Sequence, residues 1–281
     1  MTSNSGIGLE IARTLSLKGA TIIVACRDDK RGAETLNIIN DYSEYINLDL
    51  SRFISIDRFV ETVQNKYSKV DVLINNAGVM APLFVRTYEN LEMTFGVNYI
   101  GYYLLTNKLM PMMREVRKSR VVNMSSIAQY KIQHIAWENI NSQMYYDKWE
   151  SYALSNLFRV MFTLELENKL RTKGYETLAL ACHPGVTMTN LVRYMPRLFR
   201  SSMLAKIVNY LIFQTPQRAA MPAIIAATSP NVGGGDFIGL DTKRQIRGNP
   251  AVVQPNELVF DPALREQLWD ESVNITGIDL E

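Results

Sequence analysis

The strongest constraint on the fold is the alternation of short β-branched runs with longer amphipathic stretches along the 281-residue chain. Runs rich in valine and isoleucine at 21–26 and 70–75 have the length of buried strands, and the stretches between such runs have helical spacing. This alternation is typical of βαβ units, which build a parallel sheet with helices on both faces. We therefore predict a doubly wound α/β fold, in a single domain that covers residues 1–281.

The same reading predicts the remaining elements. Further strands are predicted at 45–48, 120–124, 178–183 and 236–238. Helices are predicted at 7–17, 29–39, 56–66, 87–117 with a break at Pro111, 152–170 and 216–227. Ligands of doubly wound sheets bind outside the carboxyl ends of the strands, so functional residues are expected just after each strand.

Composition excludes several classes of partner. Thirty Lys and Arg against 28 Asp and Glu give a net charge of +2, too balanced for nucleic-acid binding. No apolar run approaches the ~20 residues that span a bilayer, and residues 1–8 lack the pattern of a signal peptide. The segment 203–213 could form an interfacial helix, but a buried amphipathic segment is favoured.

The cysteines and histidines give no pattern of a bridged or metal-bound fold. Cys26 and Cys182 each lie in an apolar run, so no disulfide framework is indicated and a reducing, cytoplasmic location is expected. His134 and His183 show no ligand spacing with these cysteines, so no metal site is predicted.

Two features near the start point to a dinucleotide. Ser5-Gly6-Ile7-Gly8 opens the first predicted helix, where backbone N–H groups can meet a pyrophosphate. A simple turn is the alternative, and the strand that the full fingerprint requires before the turn is absent. Arg27 follows the strand at 21–26, where an arginine accommodates the 2′-phosphate of NADP and an acidic residue would bind the ribose of NAD. A solvated arginine at a helix start is the alternative reading.

A set of motifs then carries a family resemblance. Asp71-Val-Leu-Ile-Asn-Asn-Ala-Gly78 is a strand that ends in two amides and a small-residue turn. Four further motifs follow in order: 96–101 (GVNYIG), 122–126 (VNMSS), 152–156 (YALSN) and 183–191 (HPGVTMTNL). Together they resemble the short-chain dehydrogenase/reductase family, with its Rossmann-type sheet. The tail from 234–239 through Leu268-Trp-Asp resembles its retinol-dehydrogenase-like branch.

The resemblance implies a role for each matched residue. Tyr152 would protonate the carbonyl oxygen as hydride arrives, or accept the proton in the reverse direction. Ser126 would hydrogen-bond that oxygen, and Asn98 would position a water in the proton relay. The implied cofactor contacts are Ser5, Gly6, Ile7, Gly8, Arg27, Asp49 at the adenine, Asn76, Ala77, Gly78, and Pro184, Gly185, Val186 and Thr189 beside the nicotinamide. The segment 191–215 would cover the substrate.

The chain departs from the family pattern at the lysine four residues after the tyrosine, where Asn156 stands. The lysine holds the nicotinamide ribose and favours ionisation of the tyrosine; a unit charge ~4 Å away at an effective dielectric of about 20 contributes about 4 kcal/mol. Asparagine can keep a hydrogen bond but carries no charge. Arg159 lies two turns along the same helix face and could supply charge only by reaching back, which we do not expect.

The second departure is at the start, where the family's Thr-Gly pair falls on Met1 and Thr2 with no apolar strand before it. We expect a sheet of six strands or fewer, in which the strand at 21–26 lacks one neighbour. The pattern favours a start downstream of the true one, or a decaying copy of an active gene, over a chain adapted to do without the strand.

The leading hypothesis is an oxidoreductase that transfers a hydride between NADP(H) and a small apolar alcohol, aldehyde or ketone, with activity impaired by the two departures. The alternative is a non-catalytic relative that binds a nucleotide or a protein. Residues 191–215 suggest only an apolar substrate pocket. The sequence leaves the oligomeric state open; the resemblance implies a family that often forms dimers or tetramers, so a homo-oligomer is one of the alternatives.

Overall fold

The computed structural model describes residues 6–187 and 214–280. Its strands form two sheets, one in the order β1-β2 and the other in the order β3-β4-β5-β6-β7. All neighbours are parallel except β6 and β7, which are antiparallel. The strands are β1 Ile23–Cys26, β2 Glu44–Asn47, β3 Val72–Asn75, β4 Arg120–Met124, β5 Leu178–Cys182, β6 Phe237–Leu240 and β7 Pro250–Val252.

The helices alternate with these strands, as the sequence predicted for each of them except the last, which begins at Pro262 and was not predicted. They are α1 Ile7–Ser16, α2 Asp29–Leu36, α3 Phe53–Lys66, α4 Met93–Phe95, α5 Gly101–Leu109, α6 Lys148–Thr172, α7 Pro216–Thr228 and α8 Pro262–Thr276. A π-helical stretch, Gly96–Ile100, joins α4 to α5. The predicted doubly wound α/β class is confirmed.

Helices cover both faces of the larger sheet. On one face, Leu73, Val121 and Ala179 pack in a core with side chains of α3, α5, α6 and α8. On the other face, alternate residues such as Val122 and Leu180 pack against α1 and α7. Side chains of a strand alternate between faces, so these near-continuous apolar strands are buried on both sides.

Three predicted helices start elsewhere: the helix predicted from residue 56 begins at Phe53, and capping explains the two larger differences. The helix predicted from residue 87 begins at Met93, because the Glu92 carboxylate accepts hydrogen bonds of 2.8 Å from the backbone N–H groups of Thr94 and Phe95. The helix predicted from residue 152 begins at Lys148, because Asp147 caps its first turn. Tyr152 therefore lies in the second turn of α6. The predicted break at Pro111 is confirmed, since a 3₁₀ turn, Met110–Met112, follows α5.

The strand pattern also differs in two respects. The structure has the antiparallel edge strand β7, which the sequence reading did not predict. The sequence predicted one sheet of six strands or fewer. The described residues contain seven strands, divided between a two-stranded and a five-stranded sheet. β7 is only three residues long and contains Pro250, so its periodicity carries almost no signal.

A cavity separates the two sheets. Its volume is about 630 Å³, and its walls include Thr21, Ile22 and Ile23 at the start of β1 and Val72, Leu73 and Ile74 of β3. Side chains of α1, α3, α5 and α7 complete it: Ala12, Leu15, Phe59, Val63, Leu109 and Ala227. Within the described residues β1 pairs only with β2, which confirms the prediction that it lacks one neighbour.

Candidate functional site

The carboxyl ends of β3, β4 and β5 form the edge where the predicted catalytic residues lie. The Ser125 backbone N–H donates a 2.6 Å hydrogen bond to the oxygen of Cys182, which ties the ends of β4 and β5 together. The buried amide of Asn75 donates to Asn123 Oδ1 at 2.8 Å, and Asn123 donates to Thr163 of α6 at 3.0 Å. This ladder of polar side chains fixes the ends of the strands against α6.

Asn98 lies in the π-helical stretch and is almost completely buried. Its side chain closes a ring with Val79, since Oδ1 accepts from the Val79 N–H at 2.8 Å and Nδ2 donates to the Val79 oxygen at 2.9 Å. Nδ2 also donates to Ser155 Oγ at 3.2 Å. The side chain thereby links the turn after β3 to α6, while the backbone oxygen remains for another donor.

Ser126 and Tyr152 are both partly exposed, as catalytic residues at this edge must be. Ser126 follows β4 and caps a 3₁₀ turn, where its Oγ accepts a 3.2 Å hydrogen bond from Ala128 N–H. The backbone oxygen of Tyr152 accepts hydrogen bonds from Ser155 and Asn156. Among the described contacts no hydrogen bond joins the Ser126 and Tyr152 side chains, so both oxygens are available to a ligand.

Asn156 is buried, and its side chain turns back along its own helix. Nδ2 donates a 2.8 Å hydrogen bond to the backbone oxygen of Tyr152. The backbone oxygen of Asn156 accepts a 2.8 Å hydrogen bond from Ser125 Oγ, which ties α6 to the end of β4. Asn156 therefore supports the helix and the strand end but brings no charge to the edge.

Arg159 brings a charge to the edge, contrary to the expectation that it would not reach. Its guanidinium donates to the backbone oxygens of Asn98, Met124 and Ala77, the last at 2.9 Å. It also lies over the ring of Tyr102, 5.0 Å from the centroid. Burial lowers the pKa of Arg159, whereas interactions with Tyr102, Tyr152 and Cys182 raise it. The guanidinium thus brings a positive charge to the strand and turn ends that form this edge.

The sequence did contain a signal for Arg159. It is the one charged residue in the run Leu157-Phe158-Arg159-Val160-Met161-Phe162, whose apolar members are all buried. A charge in such a run requires buried partners. Helical spacing alone placed it on the face of Tyr152, but the backbone oxygens that bind it come from distant segments.

The residues predicted to bind the dinucleotide also lie at strand ends and at a helix start. Gly6 has φ +58°, a left-handed conformation that suits glycine, and no side chain caps α1. Gly6, Ile7 and Gly8 thus leave the first N–H groups of α1 open to an anion. Arg27 is exposed directly after β1, and its guanidinium makes no hydrogen bond or ion pair with the described residues. Ser5 lies outside the described residues.

Asp49, predicted to contact the adenine, and residues 76–78, predicted to line the cofactor, also have geometry that suits a dinucleotide. Asp49 follows β2, and its carboxylate accepts hydrogen bonds from the N–H and Oγ of Ser51, which fix its orientation. Asn76, Ala77 and Gly78 follow β3, and Gly78 is exposed with no side chain to fill the edge. The N–H groups at the start of α1 suit a pyrophosphate, and the guanidinium of Arg27 suits a 2′-phosphate. The turn at 76–78 leaves room for the body of a dinucleotide.

The turn after β5 is held rigidly. Gly185 has φ +68°, and a Cβ there would lie 2.6 Å from the Ile246 oxygen, so only glycine fits. Gln214 Nε2 donates to the Pro184 oxygen at 2.9 Å, and Val186 N–H donates to the Ile246 oxygen at 3.0 Å. Thr189 and most of the predicted substrate-covering segment, 191–215, lie outside the described residues.

His183, directly after β5, is completely buried. Its Nδ1 accepts a hydrogen bond from Gly185 N–H at 3.1 Å, and Nε2 lies 2.6 Å from Gln245 Oε1. Burial lowers the pKa of His183 to about 4, partly offset by the contact with Gln245. The ring is therefore neutral near pH 7, and its Nδ1 lone pair holds the turn that contains Pro184 and Gly185.

Among the described residues, no group of three or more His, Cys, Asp or Glu side chains is placed to hold a metal ion. None of the described helices is both long and apolar enough to cross a bilayer. Cys26 and Cys182 are free thiols.

Comparisons with known proteins place these features in context. Residues 2–197 match the family model described as short chain dehydrogenase. The chain is 36% identical over 292 residues to retinol dehydrogenase 13 of Mus musculus, covering 98% of this chain and 82% of that protein. It is 31% identical over 283 residues to polyprenol dehydrogenase of Homo sapiens, covering 97% and 82%.

Solved structures agree with this fold. An uncharacterised protein from Mycobacterium paratuberculosis superimposes with a TM-score of 0.82 at 30% identity, covering 100% of this chain and 92% of that one. An NADP complex from Pseudomonas aeruginosa superimposes with a TM-score of 0.64 at 21% identity, covering 86% of this chain and 93% of that one.

Proposed function

The chain belongs to the short-chain dehydrogenase family, and we propose that it transfers a hydride between NADP(H) and the alcohol or carbonyl group of an apolar substrate. One observation carries the proposal. Tyr152 lies on α6, and the segments that bear Asn98 and Ser126 are both hydrogen-bonded to the turn of α6 that follows it. Asn98 donates to Ser155, and Ser125 donates to the backbone oxygen of Asn156. The predicted proton-transfer groups are thereby held at one edge of the sheet.

The chemistry assigned to the chain is proton transfer and orientation. When bound, NADP(H) supplies or accepts the hydride. Tyr152 then donates its phenolic proton to the carbonyl oxygen, or takes it back from an alcohol. Ser126 Oγ donates a hydrogen bond to the same oxygen and stabilises the charge that develops there. Asn98 holds the turn after β3 through Val79, which keeps the cofactor edge in place.

The choice of NADP(H) rests on Arg27. Its exposed guanidinium follows β1 and has no hydrogen-bond or ion-pair partner among the described residues, so a 2′-phosphate there would accept a strong charge-assisted hydrogen bond. Asp28 and Asp29 follow it, but Asp28 caps α2, accepting from Arg31 N–H at 3.0 Å, and Asp29 accepts a 2.6 Å hydrogen bond from Tyr45. Both carboxylates are therefore engaged within the protein.

The substrate class rests on the relatives. Retinol and polyprenol, in the names of two similar proteins, are apolar alcohols. We propose the same chemical class for this chain, an alcohol or aldehyde on an apolar body. The cytoplasmic location is part of the proposal, since the two free thiols fit a reducing compartment. The alternative of a non-catalytic relative draws no support from the comparisons.

A panel assay tests the proposal. The chain is mixed with NADPH and long-chain or isoprenoid aldehydes, and NADPH consumption is followed by its absorbance; the reverse reaction uses the matching alcohols with NADP. We expect turnover in both directions that Tyr152→Phe abolishes while NADPH still binds. Tight NADPH binding without turnover on any apolar aldehyde, ketone or alcohol would instead support the nucleotide-binding alternative.

A further inference from the structure

We propose that Arg159 is the positioning residue that supplies the fixed positive charge for Tyr152, the charge that Asn156 cannot provide. This inference rests on the proposed function, because it concerns the proton that Tyr152 transfers. It assigns to the arginine seven residues after the tyrosine the electrostatic work that the family gives to a lysine four residues after it.

The first support is the position of the guanidinium. Arg159 is 5% exposed, and its three oxygen partners belong to the turn after β3, the end of β4 and the π-helical stretch. These are the segments that carry Ala77, Met124 and Asn98, which surround the predicted site. The guanidinium thus lies among three segments that meet at the carboxyl edge of the sheet.

The second support is that no anion neutralises this charge. Its three hydrogen-bond acceptors are neutral carbonyl oxygens, and none of the ion pairs in residues 6–187 and 214–280 includes Arg159. Carbonyl dipoles solvate a buried cation without cancelling its field at a distance. Neighbouring groups therefore experience a whole positive charge in a medium that screens it poorly.

The third support is the identity of the groups that experience the field. Arg159 lies two turns after Tyr152 on the same face of α6. Burial lowers the pKa of Arg159, and Tyr102, Tyr152 and Cys182 act in the opposite direction. Tyr102 and Cys182 are buried, and Tyr102 donates its hydroxyl proton to the Ala77 oxygen at 2.5 Å. Tyr152 is the only one of the three that is partly exposed, so it is the one that can exchange a proton with a ligand.

A purely mechanical role for Arg159, as a cross-link between three backbone segments, makes a different prediction. A neutral side chain that keeps some hydrogen bonds would then preserve the behaviour of Tyr152. A positioning charge acts through the field, so only a cation preserves it. Arg159→Gln removes the charge and keeps an amide donor, and Arg159→Lys keeps the charge with fewer donors.

The test measures the pH midpoint of Tyr152 ionisation by ultraviolet difference absorbance, with the titration of Tyr152→Phe subtracted to isolate this tyrosine. We expect Arg159→Gln to move the midpoint upward by about one pH unit or more, and Arg159→Lys to leave it within a few tenths. The alkaline shift should also appear in the pH profile of kcat/KM for alcohol oxidation, which requires the ionised phenol. An unmoved midpoint in folded Arg159→Gln would overturn the inference.

A second variant keeps the inference testable if Arg159→Gln does not fold. Asn156→Lys leaves Arg159 in place and adds the ammonium that the family carries. If Arg159 already supplies the charge, the carbonyl-reduction rate should rise by less than about tenfold. A gain of about a hundredfold or more would mean that Tyr152 had no cation beside it, and the inference would fail.

The two proposals fail in different ways. The ionisation midpoint of Tyr152 is measured without turnover. A shifted midpoint in Arg159→Gln, together with a parent chain that is inactive on every substrate, would therefore contradict the proposed function and support the inference. Turnover in the parent chain with an unmoved midpoint in Arg159→Gln sinks the inference and supports the function.

Discussion

Gly78 faces the side chain of Asn98 so closely that a Cβ added to Gly78 would lie 2.9 Å from Asn98 Oδ1. The same Cβ would lie 3.2 Å from Nη2 of Arg159. Neither neighbour can move freely, because Oδ1 already accepts the hydrogen bond from Val79 N–H and the guanidinium binds three carbonyl oxygens. The absence of a side chain at Gly78 is therefore a requirement of the site.

Gly78→Ala should destabilise the fold by about 1–3 kcal/mol, the usual cost of overpacking, and weaken NADPH binding at the same edge. Urea unfolding and fluorescence titration with NADPH measure the two effects. Gly233→Ala is the matched control, since its nearest atom would be Asp236 Oδ2 at 3.9 Å. Equal losses in both variants would show that the effect is general to glycine replacement rather than local to Asn98.

Arg27 should set the preference between the two nicotinamide cofactors. We expect the parent chain to bind NADPH more tightly than NADH, because only NADPH offers the 2′-phosphate to the guanidinium. Arg27→Asp should reverse or abolish the difference, and the conservative Arg27→Lys should keep part of it. Fluorescence titrations with both cofactors measure this, and equal dissociation constants in the parent chain would contradict the assignment.

The cavity between β1 and β3 should accept one extended strand. The strand edges on its two sides and the apolar side chains of α1, α3, α5 and α7 match the surroundings of a buried parallel strand. Replacing Met1 and Thr2 by Thr-Gly and fusing an apolar strand directly ahead of them should raise the melting temperature by roughly 10 °C or more, because three or four buried side chains contribute about 5–12 kcal/mol.

A proline in the middle of the fused strand is the control, because proline removes a ladder hydrogen bond. That version should give little or none of the gain. If the intact strand and its proline version melt at the same temperature as the parent chain, the cavity is not a strand site.

His183 should make the fold sensitive to mild acid. Burial lowers the pKa of His183 from 6.5 to about 4, so below pH 6.5 the unfolded chain takes up a proton that the folded chain refuses. Stability should therefore fall as the pH decreases from about 6.5 towards about 4, by at most ~1.4 kcal/mol per pH unit. Urea unfolding at several pH values measures the slope. His183→Gln, which cannot titrate, should have a flatter profile; an identical profile would assign the acid sensitivity to other groups.

The sequence was sufficient for the fold class and for the element on which Asn98, Ser126 and Tyr152 lie. Asn98, Ser126 and Tyr152 were placed after the correct strands or on the correct helix, because apolar periodicity reports which segments are buried and strand ends follow from it. Element starts were less well predicted. The caps by Glu92 and Asp147 depend on single side-chain hydrogen bonds, which periodicity does not record.

The amino-acid sequence by itself determined the alternation of strands and helices and the absence of a lysine four residues after Tyr152. Only the tertiary structure decided where the charge of Arg159 lies, since its three oxygen partners are 35 to 82 residues away along the chain. The same holds for the cavity between β1 and β3, whose walls come from residues 12–23, 59–74, 109 and 227–228. Local pattern fixes which face of an element is buried, but contacts between distant segments fix what that face meets.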